Sequence, residues 1–171
     1  MLRQKINQIL DELPEQELEI VYSTIVWIQE EYEYKQNLMN KGVILDDFFE
    51  GAEDIVELWE NAFVSSVNEE TKLEIHYEQF KWHLFSFGKL PCLKEEAARN
   101  AFNHQLKNDL YIFYQNAPFT FICKKAECVV ASDFDSQQDI YICDTSFTWT
   151  YVHTHEDMCG PYFYTSEMAC K

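Results

Sequence analysis

Glycine and proline are scarce, four of each in 171 residues. That excludes a collagen-like chain and the low-complexity linkers that stay disordered. It also leaves little material for a phosphate loop, and neither G-x-G-x-x-G nor G-x-x-x-x-G-K-[ST] occurs. Basic residues are few as well: 13 Lys and Arg stand against 30 Asp and Glu, a net charge of −17. Nucleic-acid backbones and anionic lipid surfaces both call for clustered cations, so neither nucleic acid nor membrane is expected as a partner. Long apolar runs are missing. The most apolar early stretch, Ile20 to Ile28, is too short to span a bilayer and is followed by Glu30 and Glu31. No basic segment followed by an apolar one opens the sequence, so a cytoplasmic location is expected. The six cysteines, Cys92, Cys123, Cys128, Cys143, Cys159 and Cys170, form no C-x-x-C pair, which removes the main support for a zinc ribbon or a thioredoxin-type site. In a reducing compartment they are expected as free thiols acting as small hydrophobes.

What is present is an aromatic-rich chain, with 13 Phe and 10 Tyr, long enough to bury a core without staples. Charge is unevenly spread. Residues 1–80 hold 19 acids and 5 bases, whereas residues 81–171 hold 11 acids and 8 bases. The first part reads as acidic and helical, the second as rich in strand formers. Ile6, Ile9 and Leu10 mark a short amphipathic helix, and Leu13-Pro14-Glu15 starts another, because proline fits a first helical turn and Glu15 and Glu17 suit its positive end. Leu18, Val21, Tyr22, Ile25 and Ile28 then follow helical spacing, with Ile20 and Trp27 off the stripe. Gly42 reads as the stop, which gives a helix about 39 Å long. That is more than a small domain needs, so a homo-oligomer through the N-terminal helices is expected.

Residues 43–52 read as a connector with apolar anchors. Ile55, Leu58, Trp59, Ala62 and Phe63 make the inner face of a helix whose outer face is Glu53, Asp54, Glu57 and Glu60. Lys81–Phe87 reads as a buried strand and Lys94–Lys107 as a helix. Four further strands are expected at Leu110–Gln115, Phe119–Lys124, Asp139–Cys143 and Phe147–Thr154. They pair as hairpins across Asn116-Ala117-Pro118 and Asp144-Thr145-Ser146. The expected fold class is α+β: a mostly antiparallel sheet of about five strands covered by helices, residues 43–171, preceded by an N-terminal helical segment, residues 1–42.

Trp82-His83-Leu84-Phe85-Ser86-Phe87, Ala101-Phe102, Phe147 to Glu156 and Cys159-Gly160-Pro161-Tyr162-Phe163 together resemble an uncharacterised bacterial family, domain of unknown function 4275, over roughly residues 50–164. The resemblance implies a small cytoplasmic bacterial protein and assigns no catalytic residue. Residues 13–18, Leu-Pro-Glu-Gln-Glu-Leu, lie outside it and resemble a short helical module that precedes many small bacterial domains.

The best chemical candidate is His153-x-His155-Glu156-Asp157-x-Cys159. Residues two apart on a strand share a face, so His153 and His155 can reach one metal, and nitrogen, oxygen and sulfur ligands favour zinc. His83 would add a nitrogen if its strand were a neighbour. The competing expectation is stronger: Phe147, Trp149, Tyr151, His153 and His155 form a core stripe reaching the sheet rim, where the imidazoles hydrogen-bond to backbone or acids. Cys92, just before a helix, and Cys159, before Gly160, are weaker nucleophile candidates. Ser86 lacks a nucleophile elbow. The acid pairs Asp46-Asp47, Glu69-Glu70 and Glu95-Glu96 read as solvated helix ends, and Tyr162 and Tyr164 as an exposed binding rim. Two functions follow. The preferred one is a non-enzymatic interaction protein whose acidic surface binds a basic protein partner. The alternative is a metal-dependent enzyme with a site near His153 and His155.

Overall fold

The computed structural model describes residues 1–48, 51–115 and 120–166. The chain divides into two units, Met1–Gln36 and Asn37–Lys171. Among the described residues, no helix is long and apolar enough to cross a membrane.

The first unit holds α1 (Leu2–Glu12) and most of α2 (Glu15–Asn40). Leu13 is extended (φ −81°, ψ 139°), as the residue before a proline must be, and this ends α1. Pro14 then starts α2, its carbonyl accepting from the Glu17 and Leu18 N–H groups. No residue of α1 is buried. At the far end of α2, in the second unit, Gly42 takes the left-handed conformation (φ +89°) and the Val43 N–H returns to the Leu38 carbonyl, so the expected stop is a real C-terminal cap.

The second unit continues with β1 (Ile44–Phe48), α3 (Ala52–Phe63), α4 (Glu69–Glu74), α5 (His83–Ser86), β2 (Leu93–Lys94) and α6 (Glu95–His104). It closes with β3 (Leu110–Tyr114), β4 (Thr120–Lys124), a 3-10 turn (Ala131–Phe134), β5 (Ile140–Asp144), β6 (Trp149–His153) and β7 (Tyr162–Thr165). The strands form one seven-stranded sheet in the order β1-β4-β3-β5-β6-β7-β2. Every pairing is antiparallel. The fold is α+β, as the sequence implies, with more strands than the five expected.

Both faces of the sheet are covered, so four of the five residues of β5 and of β6 are buried, Thr150 among them. On one face Trp59 of α3 meets Phe113 and Tyr141 edge-on, at 5.7 and 5.4 Å between ring centres, and its indole N–H donates to the Thr150 hydroxyl at 2.9 Å. Phe63 and Phe85 join this layer against Tyr164 and Tyr162. On the other face Phe102 of α6 contacts Trp149, Tyr151 and Phe134. Helix α6 ends earlier than expected because the Lys107 ammonium folds back onto the carbonyls of Phe102 and Gln105 at 2.7 and 3.0 Å, a cation at the negative end of the helix. Leu106, within the expected helix, lies past its end and is exposed.

Three expectations are corrected. Lys81–Phe87 is not a strand but contains α5: the Phe85 and Ser86 N–H groups both return to the Trp82 carbonyl. Leu84 and Phe85 are buried side by side, which a helical turn against a sheet permits, and a short apolar run does not distinguish the two. The connector at 43–52 contains β1, whose five residues pair with β4. Tyr162 and Tyr164 are not an exposed rim; as part of β7 they are buried between β6 and β2. The hairpin connection at Asn116-Ala117-Pro118, the first residue of the strand expected from Phe119, and Cys170 lie outside the described residues.

Candidate functional site

The expected site lies where β6 leaves the sheet. Its hairpin with β5 is fixed by Asp144, whose carboxylate accepts from the Thr148 and Trp149 N–H groups (2.7 and 3.1 Å) and from the Thr148 hydroxyl (2.9 Å). This side chain caps the turn much as an Asx residue caps a helix. The resulting register sets Ile140 opposite His153. Asp139, one residue before β5, therefore stands beside the chain that follows His153.

His153 is half-buried, and its Nδ1 donates to the Gln137 carbonyl at 2.8 Å. His155 lies beyond the end of β6, and its Nδ1 lies 2.9 Å from both carboxylate oxygens of Asp139. A carbonyl and a carboxylate only accept, so both Nδ1 atoms carry a proton. Asp139 also accepts from the Trp82 indole N–H at 2.9 Å. The His155 ring packs on Phe80 and Trp82, with centres 5.0 and 5.8 Å apart. Strand alternation thus holds only to His153, and the two rings take different neighbours.

His83 sits on α5 with its Nδ1 on the Ile75 carbonyl and its ring edge-on to Trp82. Phe80 lies between this ring and His155, at 5.4 and 5.0 Å. The Thr154 hydroxyl donates to the Cys159 carbonyl, which closes the loop before Gly160. Among the described residues, no group of three or more His, Cys, Asp and Glu is arranged to hold a metal ion.

The thiols do not have the electrostatics of nucleophiles. Burial pushes Cys92 above the ordinary thiol range, against a smaller opposing pull from Lys94. Cys159 is raised by burial and then by Glu156. A catalytic thiolate requires the opposite shift. Glu69, Glu70, Glu95 and Glu96 occupy the first turns of α4 and α6, as expected of solvated helix starts. Asp46, by contrast, is not at a helix end: it lies in β1 and pairs with Lys124.

Sequence reasoning missed Asp139 and Gln137, the partners of the two imidazoles. The signal was present in the hairpin: pairing 139–143 with 147–154 across the Asp144 turn already brings the residue before Ile140 to the end of the partner strand.

Residues 33–163 match a family described as a domain of unknown function, DUF4275, and the chain belongs to that family. No curated protein and no solved structure matches it.

Proposed function

We propose that this DUF4275 member is a non-enzymatic, bacterial, cytoplasmic binding protein that captures a basic protein partner. One observation carries the reading: along α2, large apolar side chains stand exposed in a segment whose charges are mostly carboxylates. Ile20, Tyr22, Trp27 and Ile28 are each more than half exposed, between Glu15, Glu17 and Glu19 on one side and Glu30, Glu31 and Glu33 on the other, and Tyr32, also more than half exposed, stands among the latter. Exposed apolar surface rimmed by one sign of charge is the character of an interaction site. The negative field speeds the approach of cationic proteins and repels nucleic acid and anionic lipid.

The test is retention of proteins from an extract of the source cells, followed by reconstitution from purified components. The expected partner is rich in Lys and Arg, and raising the salt concentration releases it. Failure of every purified cationic protein to bind at low salt overturns the reading.

A metal-dependent enzyme near His153 and His155 is the second reading. It draws on the two imidazoles that donate through Nδ1, the orientation that supporting hydrogen bonds give to metal-bound histidines. It requires the wild type to hold zinc at about one equivalent and the His153→Gln/His155→Gln variant to hold none.

A further inference from the structure

Residues 1–36 form a unit of their own, and within it only Tyr34 is buried. A unit this short does not bury a core by itself; it calls for disulfides, a metal or association with another chain. Residues 1–36 contain neither Cys nor His, so they hold no disulfide and no zinc-type site. Association is left, and both helices are patterned for it. Along α1, Leu2, Ile6 and Ile9 recur at steps of four and three. Along α2, Leu18, Val21, Ile25, Ile28 and Tyr32 recur at steps of three and four, a heptad stripe about 21 Å long. Neither stripe is covered. No residue of α1 is buried, and in α2 Ile25 is 47% exposed, Ile28 54% and Tyr32 62%. The positions that flank the α2 stripe are Glu17, Thr24 and Glu31 on one side and Tyr22 and Gln29 on the other. Glu31 is already held by Lys35 at 2.9 Å. Glu19, Glu30 and Glu33 lie about 100° or more round the helix from the stripe, and so do Ile20 and Trp27.

We infer that two copies of this chain pair through residues 1–36, with α2 parallel to its counterpart and the apolar stripes of the four helices converging on one core. The flanking positions select both the occupant and its direction. A basic helix finds little to recognise beside this stripe, because most of the acids of α2 lie elsewhere on its circumference. A largely uncharged stripe is matched by another of the same length and spacing, and a second copy brings one. In the parallel pairing Glu17 meets Tyr22 of the second copy and Thr24 meets Gln29, so no like charges are opposed. The antiparallel pairing sets Glu17 against Glu31, which costs affinity. The inference goes beyond the proposed capture of a basic partner and does not rest on it: Ile20, Trp27, Glu19 and Glu30 stay on the outside of the pair, open to such a partner.

Sedimentation equilibrium of the full chain tests this. At tens of micromolar the wild type has twice the mass of one chain. Ile25→Asp/Ile28→Asp sets carboxylates into the stripe and weakens pairing by about tenfold or more. Ile20→Asp/Trp27→Asp adds the same charge on the outer side and leaves the doubled mass unchanged. All four positions are exposed, and circular dichroism verifies that the helices persist. Should the first variant lose helix, Leu18→Cys decides. Parallel pairing brings the two introduced thiols together, and oxidised glutathione then joins the chains in a yield that the wild type does not reach. A wild-type monomer overturns the inference. So does a dimer that Ile25→Asp/Ile28→Asp leaves intact, one that Ile20→Asp/Trp27→Asp dissociates, or a Leu18→Cys variant that does not cross-link. A monomer that still retains a purified basic protein overturns the pairing and leaves the proposed capture standing.

Discussion

Trp27 and Trp59 are both helical and both spaced with other apolar residues, yet the first is 60% exposed and the second fully buried. Helix α3 lies against a sheet that offers Phe113, Tyr141 and a hydroxyl for the indole N–H. In residues 1–36, by contrast, side-chain pairs one helical turn apart recur, such as Gln8 with Glu12, Gln29 with Glu33 and Lys35 with Glu31. The difference separates two uses of one pattern. In the second unit apolar side chains hold a layered core together; in the first several, Ile20, Trp27 and Ile28 among them, stand exposed.

The contrast is tested most strongly at Trp59. Trp59→Ala removes the centre of the aromatic layer and leaves Thr150 without its donor, at a cost of about 3–5 kcal/mol measured by urea unfolding. A loss below about 1 kcal/mol would mean that the sheet does not depend on α3. Next comes Asp144→Ala. It strips the β5–β6 turn of acceptors for two N–H groups and a hydroxyl, and about 1–2 kcal/mol should be lost. Gly160→Ala acts on the neighbouring loop. Gly160 has φ +98°, and an added Cβ would lie 3.2 Å from the Tyr162 ring. The expected loss is again about 1–2 kcal/mol, and an unchanged urea midpoint refutes it.

Alkali gives a subtler probe of the core. Burial pushes the Cys123 thiol up to about 12 from an ordinary 9.0. The folded chain therefore holds this proton where the unfolded chain releases it. The resulting stability is fully present below pH 9 and is lost as pH rises from there toward 12. Cys123→Ala should flatten this limb relative to its own neutral-pH stability, without abolishing it, because burial raises Cys143 in the same sense. In native protein the exposed Cys128 should react first with a thiol reagent, and Cys123 and Cys143 only on unfolding. The smallest effect belongs to Trp27→Ala, expected within about 0.5 kcal/mol of wild type. A cost like that of Trp59→Ala would erase the distinction between the two regions.

Much of this architecture is legible in the residues. Pro14 and Gly42 mark the ends of α2, and the Asp144 hairpin and four strands follow from alternation and turn chemistry. Two of the missed strands, β1 and β2, depend on distant partners. β2 has only two residues, and its place comes from β7, about seventy residues later in the chain. Lys81–Phe87 was misread because burial on a covered sheet removes the period that separates strand from helix. At the rim, the hydrogen bonding of the two histidines to backbone and acid was legible, but His155 is exposed and lies outside the core, and their shared face assumed a strand that continued past His153. The chain instead leaves the sheet there, and His155 packs on Phe80 and Trp82 from another part of the sequence.

The two outer strands of the sheet bear on aggregation. An edge strand offers unpaired backbone groups to any extended chain that arrives. One edge here is β2, which ends after Lys94 as the chain turns directly into α6, so an intruding strand finds almost no ladder to extend. The other is β1, where Asp46 is paired with Lys124 of the adjacent strand, so an added strand would meet charge. A short edge and a charged edge are two distinct protections, and they guard opposite sides of a strongly aromatic sheet against growth into fibres.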